Sequence, residues 1–88
     1  MPTFHLLIIG RVQGVFYRVS AKKMAEIIGI TGWIRNTKNG HVESLITGED
    51  EQLEKFKTWC KQGPANAEVV SLTEKRCADI FFKEFEIR

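Results

Sequence analysis

The sequence predicts an α+β fold, a two-layer sandwich in which a mostly antiparallel sheet carries two helices on one face. Three observations predict it. Two segments, near residues 17–28 and 48–62, place apolar residues at helical spacing. Several short runs rich in Val, Ile, Phe and Thr are bounded by turn residues and read as strands. The two kinds follow each other as β-α-β-β-α-β, with an extra C-terminal strand. A chain of 88 residues supports one core with little margin, so residues 1–88 are read as a single domain.

Each element has a local reason. Thr3–Ile9 ends in the apolar run Leu6 to Ile9 and reads as a buried strand. It leads into a glycine-bearing loop, Gly10 to Arg18. From about Tyr17 to Ile28, the residues Ala21, Met24, Ala25 and Ile28 share a helical face, and Gly29 supplies the stop. Ile30–Thr37 reads as the second strand. Asn39-Gly40 is a hairpin signal, and His41–Thr47 returns as the third strand with Val42, Leu45 and Ile46 apolar. After Gly48, the acids Glu49, Asp50 and Glu51 suit the positive end of a second helix. Its apolar stripe is Leu53, Phe56, Trp59 and Cys60, and Gly63-Pro64 ends it. Glu68–Arg76 and Ile80–Ile87 read as the last two strands, the latter with Phe82 or Phe81, Phe85 and Ile87 on its faces. In a ferredoxin-like arrangement, the first and second strands run parallel with the third between them, through a right-handed crossover. That topology makes Arg18, after the glycine loop, a neighbour of Asn36, at the end of the second strand.

Composition narrows the classes. No apolar run approaches the roughly 20 residues of a membrane span. Met1-Pro2-Thr3-Phe4-His5 lacks the basic-then-apolar pattern of a secretory leader. Two cysteines without a CxxC point to reduced thiols and a cytoplasmic setting. Charge is unevenly spread. Residues 1–40 hold six Lys or Arg against one acid, whereas residues 41–88 hold seven against ten, giving +5 and −3. The positive half contains the glycine loop, which favours an anionic partner, either a small ligand or a nucleic acid.

The loop sharpens that choice. Two glycines between a strand and a helix N-terminus let backbone N–H groups converge on an anion. Arg18, in the first helical turn, adds a guanidinium with several donors. The local pattern is a cradle for a phosphate or a carboxylate.

Here the chain resembles the acylphosphatase family. The first motif is Gly10-x-Val12-Gln13-Gly14-Val15-x-Tyr17-Arg18. The second is Gly32-Trp33-Ile34-Arg35-Asn36, followed by Gly40-x-Val42 and Gly48. The turn Gly63-Pro64-x-x-Ala67 also fits. Tyr17 stands where the family usually has Phe, and Ile34 where a smaller aliphatic is common. The resemblance implies hydrolysis of acyl phosphates to a carboxylate and inorganic phosphate. It implies that Arg11, Val12, Gln13, Gly14, Val15, Phe16, Tyr17 and Arg18 bind the substrate. Arg18 would hold the phosphate and Asn36 would position the attacking water. No metal or cofactor and no phosphoenzyme are implied. The expected protein is a cytoplasmic monomer acting on a small acyl phosphate, inhibited by its product phosphate, without membrane or nucleic-acid partners.

Those residue types suit that chemistry. A carboxylate leaving group has a conjugate acid of pKa about 4 and departs without a general acid. Phosphoryl transfer asks mainly for positioning and charge stabilisation. An amide side chain can donate and accept hydrogen bonds, and so can orient a water. Other chemistries fit less well. Cys60 falls on an apolar helix face and Cys77 has no paired base. His5 and His41 have no partner at metal-ligand spacing. The loop lacks the Gly-Lys-Ser/Thr ending of a P-loop. Trp33, Trp59, Phe56, Phe82 and Phe85 read as core or sheet-face residues. An RNA-binding module would need paired aromatics on the first and third strands, which are missing. A catalytically inactive anion sensor would have no need for both Arg18 and Asn36.

Overall fold

The computed structural model describes the whole chain, Met1–Arg88. In order, its elements are β1 (Thr3–Arg11), α1 (Tyr17–Ile28), β2 (Thr31–Asn36), β3 (Val42–Thr47), α2 (Asp50–Gln62), β4 (Glu68–Cys77) and β5 (Phe85–Ile87). The sheet order is β4-β1-β3-β2-β5. β3 pairs antiparallel with both β1 and β2, so β1 and β2 run parallel on either side of it. β4 adds antiparallel to β1, and the extra strand β5 adds parallel to β2. This is the ferredoxin-like sandwich with one additional C-terminal strand.

Side chains alternate across the sheet with the period of two that strand geometry imposes. Leu6 and Ile8 of β1, Ile34 of β2, and Val42, Ser44 and Ile46 of β3 are fully buried. They meet Tyr17, Ala21 and Ala25 of α1 and Leu53, Phe56 and Cys60 of α2. Two alanines on the buried face let α1 lie close to the sheet. Phe56 packs edge-on against Phe85 at 5.8 Å, tying α2 to the last strand.

Four sequence expectations change. The segment Ile80–Ile87 is not a continuous strand, because only Phe85–Ile87 joins the sheet. Ile80 is instead tethered by side chains. Its N–H donates to Thr3 Oγ1 at 2.8 Å and its carbonyl accepts from Thr47 Oγ1 at 2.9 Å. The chain thus crosses beside the ends of β1 and β3, and Phe81 is left 85% exposed. On β3, Leu45 faces away from the helices, and Ser44 takes the inward position with its hydroxyl donating to the Trp33 carbonyl at 2.7 Å. On α2, Trp59 is only half-buried and Lys57 is buried. Lys57 reaches Glu74 at 2.9 Å and lies 3.5 Å from the Phe4 ring centroid, so its charge is compensated and its stem packs as an apolar chain. Finally, β1 runs past Ile9 to Arg11 through a bulge at Ile9/Gly10. A Cβ at Gly10 would collide with the Glu68 carbonyl oxygen, which is why a glycine stands where the strand gives way to the loop.

Candidate active site

The loop from Val12 to Phe16 is fastened at both ends by the core. Val12 and Tyr17 are each 1% exposed. The Tyr17 hydroxyl donates to the Cys60 carbonyl at 2.7 Å, which joins the start of α1 to the end of α2. Burial pushes the Tyr17 hydroxyl well above the usual phenol range and the Cys60 thiol up to about 12. Neither ionises near neutral pH, so Cys60 is a core residue and no nucleophile.

Between those anchors the backbone bends in a way side chains rarely allow. Gly14 has φ 74° and Phe16 has φ 62°. Phe16 is the one non-glycine residue in the left-handed region, a conformation that costs roughly 1–2 kcal/mol. It is also 77% exposed, so its side chain offsets little of that strain by burial.

The hydrogen-bond accounting follows from this shape. Buried or half-buried backbone donors normally find partners. Yet no N–H from Val12 to Phe16 donates to a backbone carbonyl, and the first such bond at the start of α1 is Ser20 N–H to Phe16 at 3.1 Å. The amides of the first helical turn are orphaned by helix geometry itself, and Phe16 gives no side-chain cap. A run of backbone donors therefore stands open at the positive end of α1.

Arg18 extends from that turn, half exposed and without an ion-pair partner. Asn36 ends β2, opposite Val42, with its side chain exposed. Val12, Gly14, Phe16, Tyr17, Arg18, Val19 and Asn36 line one hollow of about 220 Å³. No carboxylate lines it. Loop residues with unpartnered N–H groups, a guanidinium-bearing residue and the first turn of α1 line this one hollow, together with one primary-amide residue. Such an arrangement can hold a tetrahedral oxyanion and present a water to it.

Not every residue expected at the site lines it. Arg11 and Val15 border a separate hollow with Ala65, Asn66, Ala67 and Glu68. The Gln13 side chain turns away to the β2–β3 hairpin, where Nε2 donates to the carbonyls of Thr37 and His41, each at 2.9 Å. Val19 lines the hollow although the sequence reading passed over it. Its signal was available: it lies three residues after Phe16, on the same side of the first helical turn. Elsewhere, His5 meets Glu43 at 2.7 Å on the sheet face away from the helices. Hydrogen bonding from His5, joined by Arg35 and opposed by burial, holds the Glu43 carboxyl below its usual range.

The family model described as Acylphosphatase matches residues 4–87. An acylphosphatase of Methylococcus capsulatus is 42% identical over 78 residues, covering 89% of this chain and 85% of that protein. One from Legionella pneumophila is 53% identical over 62 residues, covering 70% and 68%. The solved acylphosphatase structure from Coxiella burnetii superposes with a TM-score of 0.95 at 32% identity, covering 99% of this chain and 92% of that one.

Proposed function

The chain belongs to the acylphosphatase family and hydrolyses acyl phosphates; from that premise we propose how its own residues do so. The phosphoryl group sits against the open amides of the Val12–Phe16 loop and the first turn of α1. Arg18 neutralises its charge. Asn36 holds a water in line with the bond to be broken. The water oxygen bonds to phosphorus as the P–O bond to the acyl group breaks. The carboxylate leaves with that electron pair, and the water's proton passes to a phosphate oxygen. Products are a carboxylate and inorganic phosphate, with no covalent intermediate on the protein.

One observation supports this most: Arg18, Asn36 and the unpartnered loop border the same hollow. Its lack of a carboxylate matters, since a fixed negative charge there would repel a dianionic substrate. An amide is also not a base near neutral pH, so the substrate itself is the proton acceptor in this scheme. Inorganic phosphate fills the same grip and inhibits. Phosphate release from benzoyl and acetyl phosphate, with a phosphate monoester as control, tests the proposal. Turnover of both acyl phosphates and a pH profile without a protein base near 7 are expected. Equal turnover of the monoester, or a rate that follows a protein group, would contradict it.

A further inference from the structure

We infer that Gln13 is a positioning residue that sets where Asn36 stands relative to the phosphate loop. The inference rests on the reading of Asn36 as the group that aims the water. The phosphate loop hangs between β1 and α1, whereas Asn36 belongs to the β2–β3 hairpin. Two parts carried by different elements must be held to a fraction of an ångström for an in-line attack.

Gln13 lies between Val12 and Gly14, both of which line the hollow. Its own side chain leaves the hollow and grips the hairpin. Nε2 donates to Thr37 O and to His41 O, both at 2.9 Å, across 24 and 28 residues of chain. Both acceptors are carbonyl oxygens, so only the amide nitrogen can face them, and its orientation is fixed by its partners. No other hydrogen bond joins residues 12–16 to residues 36–41.

The far end of this clamp is rigid. Thr37 N–H donates to His41 O at 2.9 Å, and His41 N–H donates to Thr37 Oγ1 at 3.1 Å. Those two bonds close the neck of the hairpin. Thr37 is also the residue next to Asn36, so holding its carbonyl fixes the Thr37–Lys38 peptide, one residue beyond Asn36. On the other side, pairing of Asn36 with Val42 fixes the strand. Gln13 thus carries the position of the phosphate grip directly to the residue beside the water-holding amide. Its carbon stem reaches from one to the other, and its two N–H bonds meet both sides of the neck.

The test compares the wild type with Gln13→Met, which keeps the length and loses the donors, and Gln13→Asn, which keeps the amide but falls one carbon short. Asn36→Ala and the double variant Gln13→Met/Asn36→Ala complete the cycle. Benzoyl phosphate supplies kcat and KM, inorganic phosphate supplies an inhibition constant, and circular dichroism reports folding. For Gln13→Met, kcat falls about 10- to 100-fold, the size of effect that a misplacement of about 1 Å produces. The phosphate inhibition constant stays within about threefold, and in the Asn36→Ala background Gln13→Met changes kcat by no more than about threefold. Gln13→Asn behaves as Gln13→Met does, and carries the test alone if the methionine variant does not fold. Wild-type kcat in a folded Gln13 variant overturns the inference. So does a phosphate constant that weakens in step with kcat, or a full additive loss on top of Asn36→Ala. If Asn36→Ala itself keeps the wild-type rate, the water-positioning reading falls, and the role of Gln13 falls with it.

Discussion

The two helices of this protein begin in opposite ways. α2 starts with a side chain turned back onto its cap: Gln52 Oε1 accepts from the Glu49 N–H at 2.9 Å. Asp50 and Glu51 add negative charge to its first turn. α1 has none of this. Its cap position is a strained phenylalanine without a side-chain hydrogen bond, and its first turn holds no acid. The same chain closes one helix end with its own side chains and leaves the other open. The open end is the one beside Arg18 and Asn36. An unmet helix terminus at this place is explained if an anion from outside meets it.

Substitutions can break or sharpen the contrast. The largest effect is expected from Arg18→Ala. Loss of the one guanidinium should lower kcat/KM about 10³-fold, as for removal of a strong oxyanion donor, and abolish inhibition by phosphate. Thermal stability should barely move, since Arg18 has no internal partner. Phe16→Asp would make α1 resemble α2 by placing an anion at its open end. Asp also tolerates the left-handed region better than Phe. Stability should rise by about 0.5 kcal/mol through the helix dipole. At the same time kcat/KM should drop roughly tenfold or more, because a like charge would face the substrate. Stability and activity both falling would count against an end kept open for a ligand.

Smaller effects belong to the closed end. Gln52→Ala removes the bond to the Glu49 N–H and a bond to the Ile28 carbonyl. It should cost about 1 kcal/mol, a fall in Tm of about 4–8 °C for a domain of this size. Catalysis should be untouched. The smallest effect concerns Glu43. Its carboxyl is held low in the folded state, so it contributes stability above the ordinary carboxylate value of about 4.3. That contribution is lost as pH falls through the depressed folded value. Urea midpoints measured from neutral to acid pH should therefore drop less steeply in Glu43→Gln than in the wild type.

Much of this was legible in the residues. The limits of α1, Tyr17 to Ile28, follow from its apolar spacing and from Gly29, which caps it at φ 101°. The central order β1-β3-β2 follows from the alternation of elements, and so does the meeting of Arg18 with Asn36. What the residues hid were contacts between distant segments. Ile80 looked like part of a strand because Ile80, Phe82 and Ile87 carry strand-like side chains. Only the hydroxyls of Thr3 and Thr47, far away in sequence, draw it out of the ladder. Lys57 sits among apolar neighbours because Glu74 and the Phe4 ring compensate its charge, which no local pattern reveals. Gln13 was legible as a loop residue but not as a clamp, since its partners come from the hairpin. Asn39-Gly40 marked that hairpin correctly, but the turn closes between Thr37 and His41 rather than as a two-residue loop.

The open helix end is tested most directly by following backbone amide resonances while inorganic phosphate is added. The amides from Gln13 to Val19 should shift together and saturate, while those of Asp50 to Leu53 stay in place. Shifts centred on α2 or on the opposite sheet face, with the Gln13–Val19 amides unmoved, would contradict it.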